Sequence, residues 1–221
     1  MSNYSSTFSS NIDLFTCFSV SPATLSHVGL SIATIQAGGI GVLDWELVGS
    51  QVARAEQNLS TLINMADAYP GTVGVRMRAD QDLPQSLEQG RKKSQTPNWL
   101  ILTDWEDSSK SQHIIDSLPH RNLRLLLEII NVEQLQSLSS WSRVSGVIAR
   151  GHESSGWSSA DSAFVLTQKL LKSVELPVYV QGGIGVHTAA ACQAIGAAGV
   201  VLDDQLWLMP ESALSDNWQK L

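Results

Sequence analysis

The chain is short of charge, shorter still of basic residues, and carries almost no cysteine. Only 16% of its 221 residues are charged, a low share for a globular protein that suits a sheet covered on both faces. Lys and Arg number 14 against 21 Asp and Glu, giving a net charge of −7. Binding a nucleic-acid backbone needs clustered cations, so this balance argues against such a surface. The basic run Arg91-Lys92-Lys93 reads as a solvated helix face. Two cysteines, Cys17 and Cys192, lie far apart within apolar segments. They read as buried thiols of a reducing cytosol, not as a disulfide. No apolar run approaches the roughly 18 residues that span a membrane. The first residues are polar and serine-rich, without the basic and apolar regions of a signal peptide, so residues 1–13 are expected to form a loose tail. The five histidines show no metal-ligand spacing. A Gly-x-Ser-x-Gly elbow is also missing, and neither cysteine falls on an expected binding rim, so nucleophilic catalysis has little support.

What is present is a rhythm. Short apolar runs at 14–20, 41–44, 73–78, 99–104, 123–130, 145–150, 177–181 and 200–203 read as strands buried on both faces. Between them lie helical stretches. Ser21-Pro22 is an N-cap and first-turn proline for a helix that Gly38-Gly39 closes. Residues 48–68 are long and amphipathic, stopped by Pro70-Gly71. Further helices are expected at 84–92, 108–118, 132–138, 159–172 and 186–197. Eight strands alternating with helices at roughly 25–30 residues per unit predict a (βα)8 TIM barrel over 14–212. A doubly wound open sheet is the other fold with this alternation. The echo of Gly38-Gly39-Ile40-Gly41-Val42 in Gly182-Gly183-Ile184-Gly185-Val186 favours closure. Few residues follow the last strand, so the eighth helix is short or truncated, and 213–221 would begin a linker.

Functional groups of such a barrel sit at the C-terminal ends of its strands. Those positions are Asp44, Arg76, Arg78, Asp104, Glu128, His152, Glu153, Gln181, Asp203 and Asp204. His152 and Glu153 are candidates for a general base and its orienting carboxylate, with a backbone contact of His152 as the competing role. Arg78 with Glu128 or Asp104 could be paired charges at the mouth. Arg76 or Arg78 could instead face the oxygen of a bound carboxylate or thioester. Gln181-Gly182-Gly183 after a strand is a candidate phosphate cradle.

The order of three pieces suggests a family. Arg150-Gly-His-Glu-Ser-Ser-Gly-Trp157, then Pro177-Val-Tyr-Val-Gln-Gly-Gly-Ile184, then Ile195-Gly-Ala-Ala-Gly-Val-Val201, resemble the nitronate monooxygenase (2-nitropropane dioxygenase-like) flavoproteins. Gln36-Ala-Gly-Gly-Ile-Gly-Val42 is similar to the family's first glycine strand. The resemblance implies an FMN-binding TIM barrel, related to flavin-dependent enoyl reductases. It implies that Gly182 and Gly183 bind the FMN phosphate, and that Gly151, Glu153 and Gly156 line the flavin with Gln181 near it. Trp157 stands at the family's histidine, Ser155 at a glycine, and Asp203-Asp204 at a Gly-Thr pair. The ending Val201 to Ser212 resembles a subfamily at the amino terminus of modular polyketide or polyunsaturated-fatty-acid synthases. That context implies a flavin-dependent oxidoreductase acting on an acyl chain or acyl carrier protein. The alternative is a degenerate, non-catalytic barrel for docking or homodimerisation.

Overall fold

A computed structural model describes residues 15–22, 27–88, 99–105, 108–118, 123–137 and 141–212. Eight parallel strands close into a barrel in chain order: β1 (Thr16–Val20), β2 (Ile40–Asp44), β3 (Thr72–Arg78), β4 (Trp99–Thr103), β5 (Arg124–Ile129), β6 (Val144–Arg150), β7 (Val178–Gln181) and β8 (Gly199–Leu202). Closure comes from β1 pairing with β8, with Cys17 opposite Val200. The open-sheet alternative is thereby set aside. Among the described residues six α-helices lie between the strands: α1 (Gly29–Gln36), α2 (Val52–Ala66), α3 (Gln85–Glu88), α4 (Ser108–Ser117), α5 (Ala163–Ser173) and α6 (Val186–Ala194). None of these is long and apolar enough to cross a membrane.

Period-2 alternation divides each strand between two cores. Leu43, Val75, Leu100, Leu127, Val147 and Val178 face outward and pack with Leu59, Leu62 and Leu166 of α2 and α5. The inner cluster consists of strand residues alone, among them Phe18, Val42, Trp99, Ile101, Leu126, Ile148, Tyr179 and Val201. Its floor is three rings meeting edge to face: Phe18 lies 5.0 Å from Trp99 and 5.1 Å from Tyr179. Such rings need room, which two glycines supply. A Cβ on Gly74 would come within 3.3 Å of Trp99 Cβ, and one on Gly146 within 3.0 Å of the Tyr179 ring. The barrel interior is therefore a packed core, not a pore.

Several local expectations are corrected. Ser21 does not cap a helix: it is buried, its Oγ accepts a hydrogen bond from the Asp44 N–H at 3.0 Å, and α1 starts at Gly29. Stitching β1 to β2 satisfies a buried N–H, a stronger demand than a cap on an exposed turn. The stretch expected as an α-helix from Val132 is the 3-10 helix Val132–Gln136, held by a capping box between Asn131 and Gln134. After β8 the chain forms the 3-10 helix Asp204–Leu208. Two expected segments, the tail at 1–13 and the linker from 213, lie outside the described residues. Because Phe18 touches both other rings of the floor, Phe18→Ala should cost about 3–5 kcal/mol, read as a lower urea midpoint at unchanged slope.

Candidate functional site

One step of two residues beyond the inner apolar layer, every strand from β2 to β8 turns polar. Val42 leads to Asp44, Gly74 to Arg76, Ile101 to Thr103, Leu126 to Glu128, Ile148 to Arg150, Tyr179 to Gln181, and Val201 to Asp203 just past β8. The alternation that fills the lumen with hydrocarbon thus places one polar side chain per strand at its C-terminal mouth. All seven are buried, so each needs a partner.

Glu128 is the hub. Its Oε1 accepts from Arg76 Nε at 2.7 Å and its Oε2 from Arg76 Nη2 at 3.0 Å, a two-pronged pair. Arg150 Nη1 donates to the same Oε2 at 2.7 Å. Arg76 Nη1 reaches Asp44 Oδ2 at 2.7 Å and also donates to Glu46. Beneath the hub, Trp105 Nε1 donates to the Glu128 carbonyl at 2.7 Å. Burial alone would raise the Glu128 carboxyl, but the two guanidiniums and the Thr103 hydroxyl outweigh it and hold the group at about 2. Asp44 moves the other way: its burial is the larger influence and Arg76 only offsets it, so its carboxyl lies above the ordinary range. Burial opposes the Arg76 charge, yet Glu128 and Asp44 override it and keep the guanidinium protonated. Arg76, not Arg78, is thus the partner of Glu128. Arg78 is partly exposed and pairs with Asp80 at 3.0 Å and with Asp104 at 3.8 Å. Every nitrogen of Arg76 thus donates to a carboxylate.

The other half of the mouth, on β6 to β8, is less complete. Gln181 Nε2 donates to Asp203 Oδ2 at 2.9 Å, but Gln181 Oε1 and Arg150 Nε are buried without a partner among the described residues. These residues are neighbours in the β6–β7 register. Burial raises the Asp203 carboxyl, the Gln181 amide and the Asp204 N–H pull it back, and the Asp204 charge adds to the rise.

The loop after β6 reaches across this half. Gly151 N donates to the Gln181 carbonyl at 3.0 Å, and any Cβ on Gly151 would sit 2.2 Å from Ala163. Its glycine is needed because α5 starts there. Arg150 Nη2 donates to the Ser155 carbonyl, and Gly156, at φ +72, lies close to the same guanidinium. Glu153 and Ser154 lie against Gly183 and Gly182, at 3.3 and 2.9 Å from where a Cβ would be. Glu153 Oε2 also accepts from the Ala163 N–H at 2.9 Å, at the start of α5. His152 turns away: Nδ1 lies 3.3 Å from the Ser159 carbonyl, leaving Nε2 without a partner among the described residues. His152 and Glu153 therefore form no dyad, whereas Glu153, Gly182 and Gly183 come together. Trp157 is 74% exposed.

Beyond Gln181 the backbone makes an unusual turn. Gly182 and Gly183 have φ of +114 and +62, and α6 begins after Gly185 without a side-chain cap. From Gly182 through Thr188, no backbone N–H finds an acceptor among the described residues. Consecutive free N–H groups at a helix start make an anion-binding concavity.

This architecture has solved counterparts. FabK from Thermotoga maritima superposes with a TM-score of 0.72 at 19% identity, covering 93% of this chain and 63% of that one. The fold is that of FabK. Its M276A mutant gives the same TM-score at 17% identity, covering 67% of its length. Thiamine phosphate pyrophosphorylase from Pyrococcus furiosus matches at a TM-score of 0.60 and 14% identity, over 93% of this chain and 91% of that one. The chain thus spans about two thirds of the length of FabK. No family model and no curated protein matches the chain.

The hub yields a prediction with a definite sign. Glu128 titrates at about 2 when folded against an ordinary 4.5, so its stabilisation is present above 4.5 and is lost as pH falls through 2. Glu128→Gln should cost about 3–5 kcal/mol near neutrality. The gap between wild type and variant, measured by urea unfolding, should narrow steadily as pH falls below 4.5.

Proposed function

We propose that this chain is a nitronate-monooxygenase-like barrel that holds flavin mononucleotide and serves as an oxidoreductase domain acting on the acyl chain of a polyketide- or fatty-acid-type synthase. The observation that carries the reading is the row of free N–H groups from Gly182 through Thr188. A phosphate would take these groups as its donors. Two buried polar atoms extend the fit: Arg150 Nε is a donor and Gln181 Oε1 an acceptor, neither with a partner. A flavin presents both ring carbonyls and a ring N–H, so its polar edge suits that pair.

In this reading Gly182, Gly183 and the first turn of α6 hold the phosphate, and Arg150 and Gln181 orient the ring. Glu128 fixes Arg150 through Nη1, so the guanidinium is set before a ligand arrives and little ordering remains to be done. Gly151 and Gly156 let the loop cross close to the strand ends. Bound flavin mononucleotide would supply the hydride chemistry. His152 Nε2 has no partner among the described residues, while Glu153 secures the loop through the Ala163 N–H.

A second reading has its own observation. Trp157 stands where the family has histidine, and an indole donates a hydrogen bond but takes no proton. A barrel with this mouth could serve a synthase as a docking or dimerisation module without redox chemistry. Titration of the purified chain with flavin mononucleotide separates the two. Binding should quench flavin fluorescence and leave a yellow complex after desalting. Gly183→Val forces a β-branched residue to φ +62 and should weaken binding by roughly tenfold or more. A chain that stays colourless and leaves flavin fluorescence unquenched would sink the oxidoreductase reading and favour the module.

A further inference from the structure

On the far side of the barrel from the glycine turn lies a cavity of about 950 Å³. It opens between the segment after β2, the first turns of α2, and the segment after β3. Trp45, Val48, Val52, Met77, Leu83 and Pro84 give it apolar walls. Its volume is within the range of about 300–1,000 Å³ typical of small-molecule sites.

The walls are braced from both sides. Gln81 Nε2 donates to the carbonyls of Trp45 at 3.2 Å and Glu46 at 3.1 Å, while Gln81 Oε1 accepts from the Arg78 N–H at 2.8 Å. Across the cavity, Glu56 accepts from the Gln85 N–H and from Ser86 Oγ, both at 2.6 Å. These bonds tie α2 to α3 and the β2 segment to the β3 segment, so the space is held open in advance. Among the described residues, charge on the lining is of one sign: Glu56, Asp80 and Asp82 line the cavity and no Lys or Arg does. Arg78 pairs with Asp80 at 3.0 Å, Glu56 braces α3, and Asp82 has no partner among the described residues.

We propose that this cavity binds a small amphiphilic cation, an alkyl or aryl body carrying an ammonium group. The apolar body lies against Trp45, Met77 and Leu83, and the ammonium faces Asp82 and Glu56. Anionic amphiphiles such as fatty acids are disfavoured by the same carboxylates. This site is separate from the flavin turn, and its test is independent of flavin binding.

Isothermal titration of the whole chain with decyltrimethylammonium and with decanoate, each below its micelle concentration, measures the claim. The cation should bind roughly tenfold tighter than the anion, gaining roughly fourfold per added methylene. Asp82→Asn should lower the cation's affinity by roughly two- to fivefold and raise that of decanoate, narrowing the gap between the two probes. Ala53 lines the cavity from the exposed side of α2, so Ala53→Trp should fill the space without disturbing the core and abolish cation binding. Equal affinity for the two probes, no binding of the cation, or binding indifferent to Ala53→Trp would each overturn the proposal.

Discussion

The sharing of one buried carboxylate between two arginines organises the upper half of this barrel. Glu128 takes both prongs of Arg76 and one of Arg150, linking β3, β5 and β6 across the lumen. Two cations buried that close would repel strongly without a counter-charge between them. The apolar floor of Phe18, Trp99 and Tyr179 tolerates volume-conserving exchange. The ionic layer does not, because removing Glu128 takes from Arg150 its carboxylate and from Arg76 its two-pronged partner. Stability is therefore distributed unevenly along the barrel axis, forgiving below and strict above.

The same constraint shapes the loop after β6. Arg150 spends one nitrogen on Glu128 and another on the Ser155 carbonyl, so the position of the loop is inherited from the hub. With Glu153 pinned at Ala163, the loop is fastened at both ends of its approach to Gly182 and Gly183. A change at Glu128 would thus be felt at a glycine turn it does not touch, through two hydrogen bonds and a guanidinium.

Most of the fold was legible because parallel strands covered on both faces are written as continuous apolar runs. All eight expected strands match within a residue or two, and only pairing of β1 with β8, a contact between distant segments, had to come from three dimensions. Ser21 misled because a serine before proline satisfies a helix start and a cross-strand bond equally well, and only the buried Asp44 N–H decides between them. At the mouth, Asp44, Arg76, Glu128, Gln181 and Asp203 were recognisable as strand ends. Thr103 and Arg150 were passed over, Thr103 for the neighbouring Asp104 and Arg150 for the loop it introduces. A usable signal existed: stepping two residues on from Ile101 and Ile148, which are inward-facing, lands on both. The wiring among these residues was not legible, since composition does not say whether Arg76 or Arg78 meets Glu128. Inward alternation selects Arg76 and sends Arg78 to the exposed rim with Asp80 and Asp104.

The asymmetry of the mouth bears most directly on function. On the β2–β5 side the charges answer one another. On the β6–β8 side a buried donor, a buried acceptor and a row of backbone N–H groups have no partner among the described residues, within one stretch of adjacent strands and turns. Buried polar groups left open cost free energy, and a fold retains that cost where something fills them. A structural plug would be expected to satisfy itself on every side, as the Arg76 half does. The incomplete half has the pattern of a site whose last partners arrive from outside the chain. That incomplete half is what supports the proposed ligand-binding reading over that of an inert barrel.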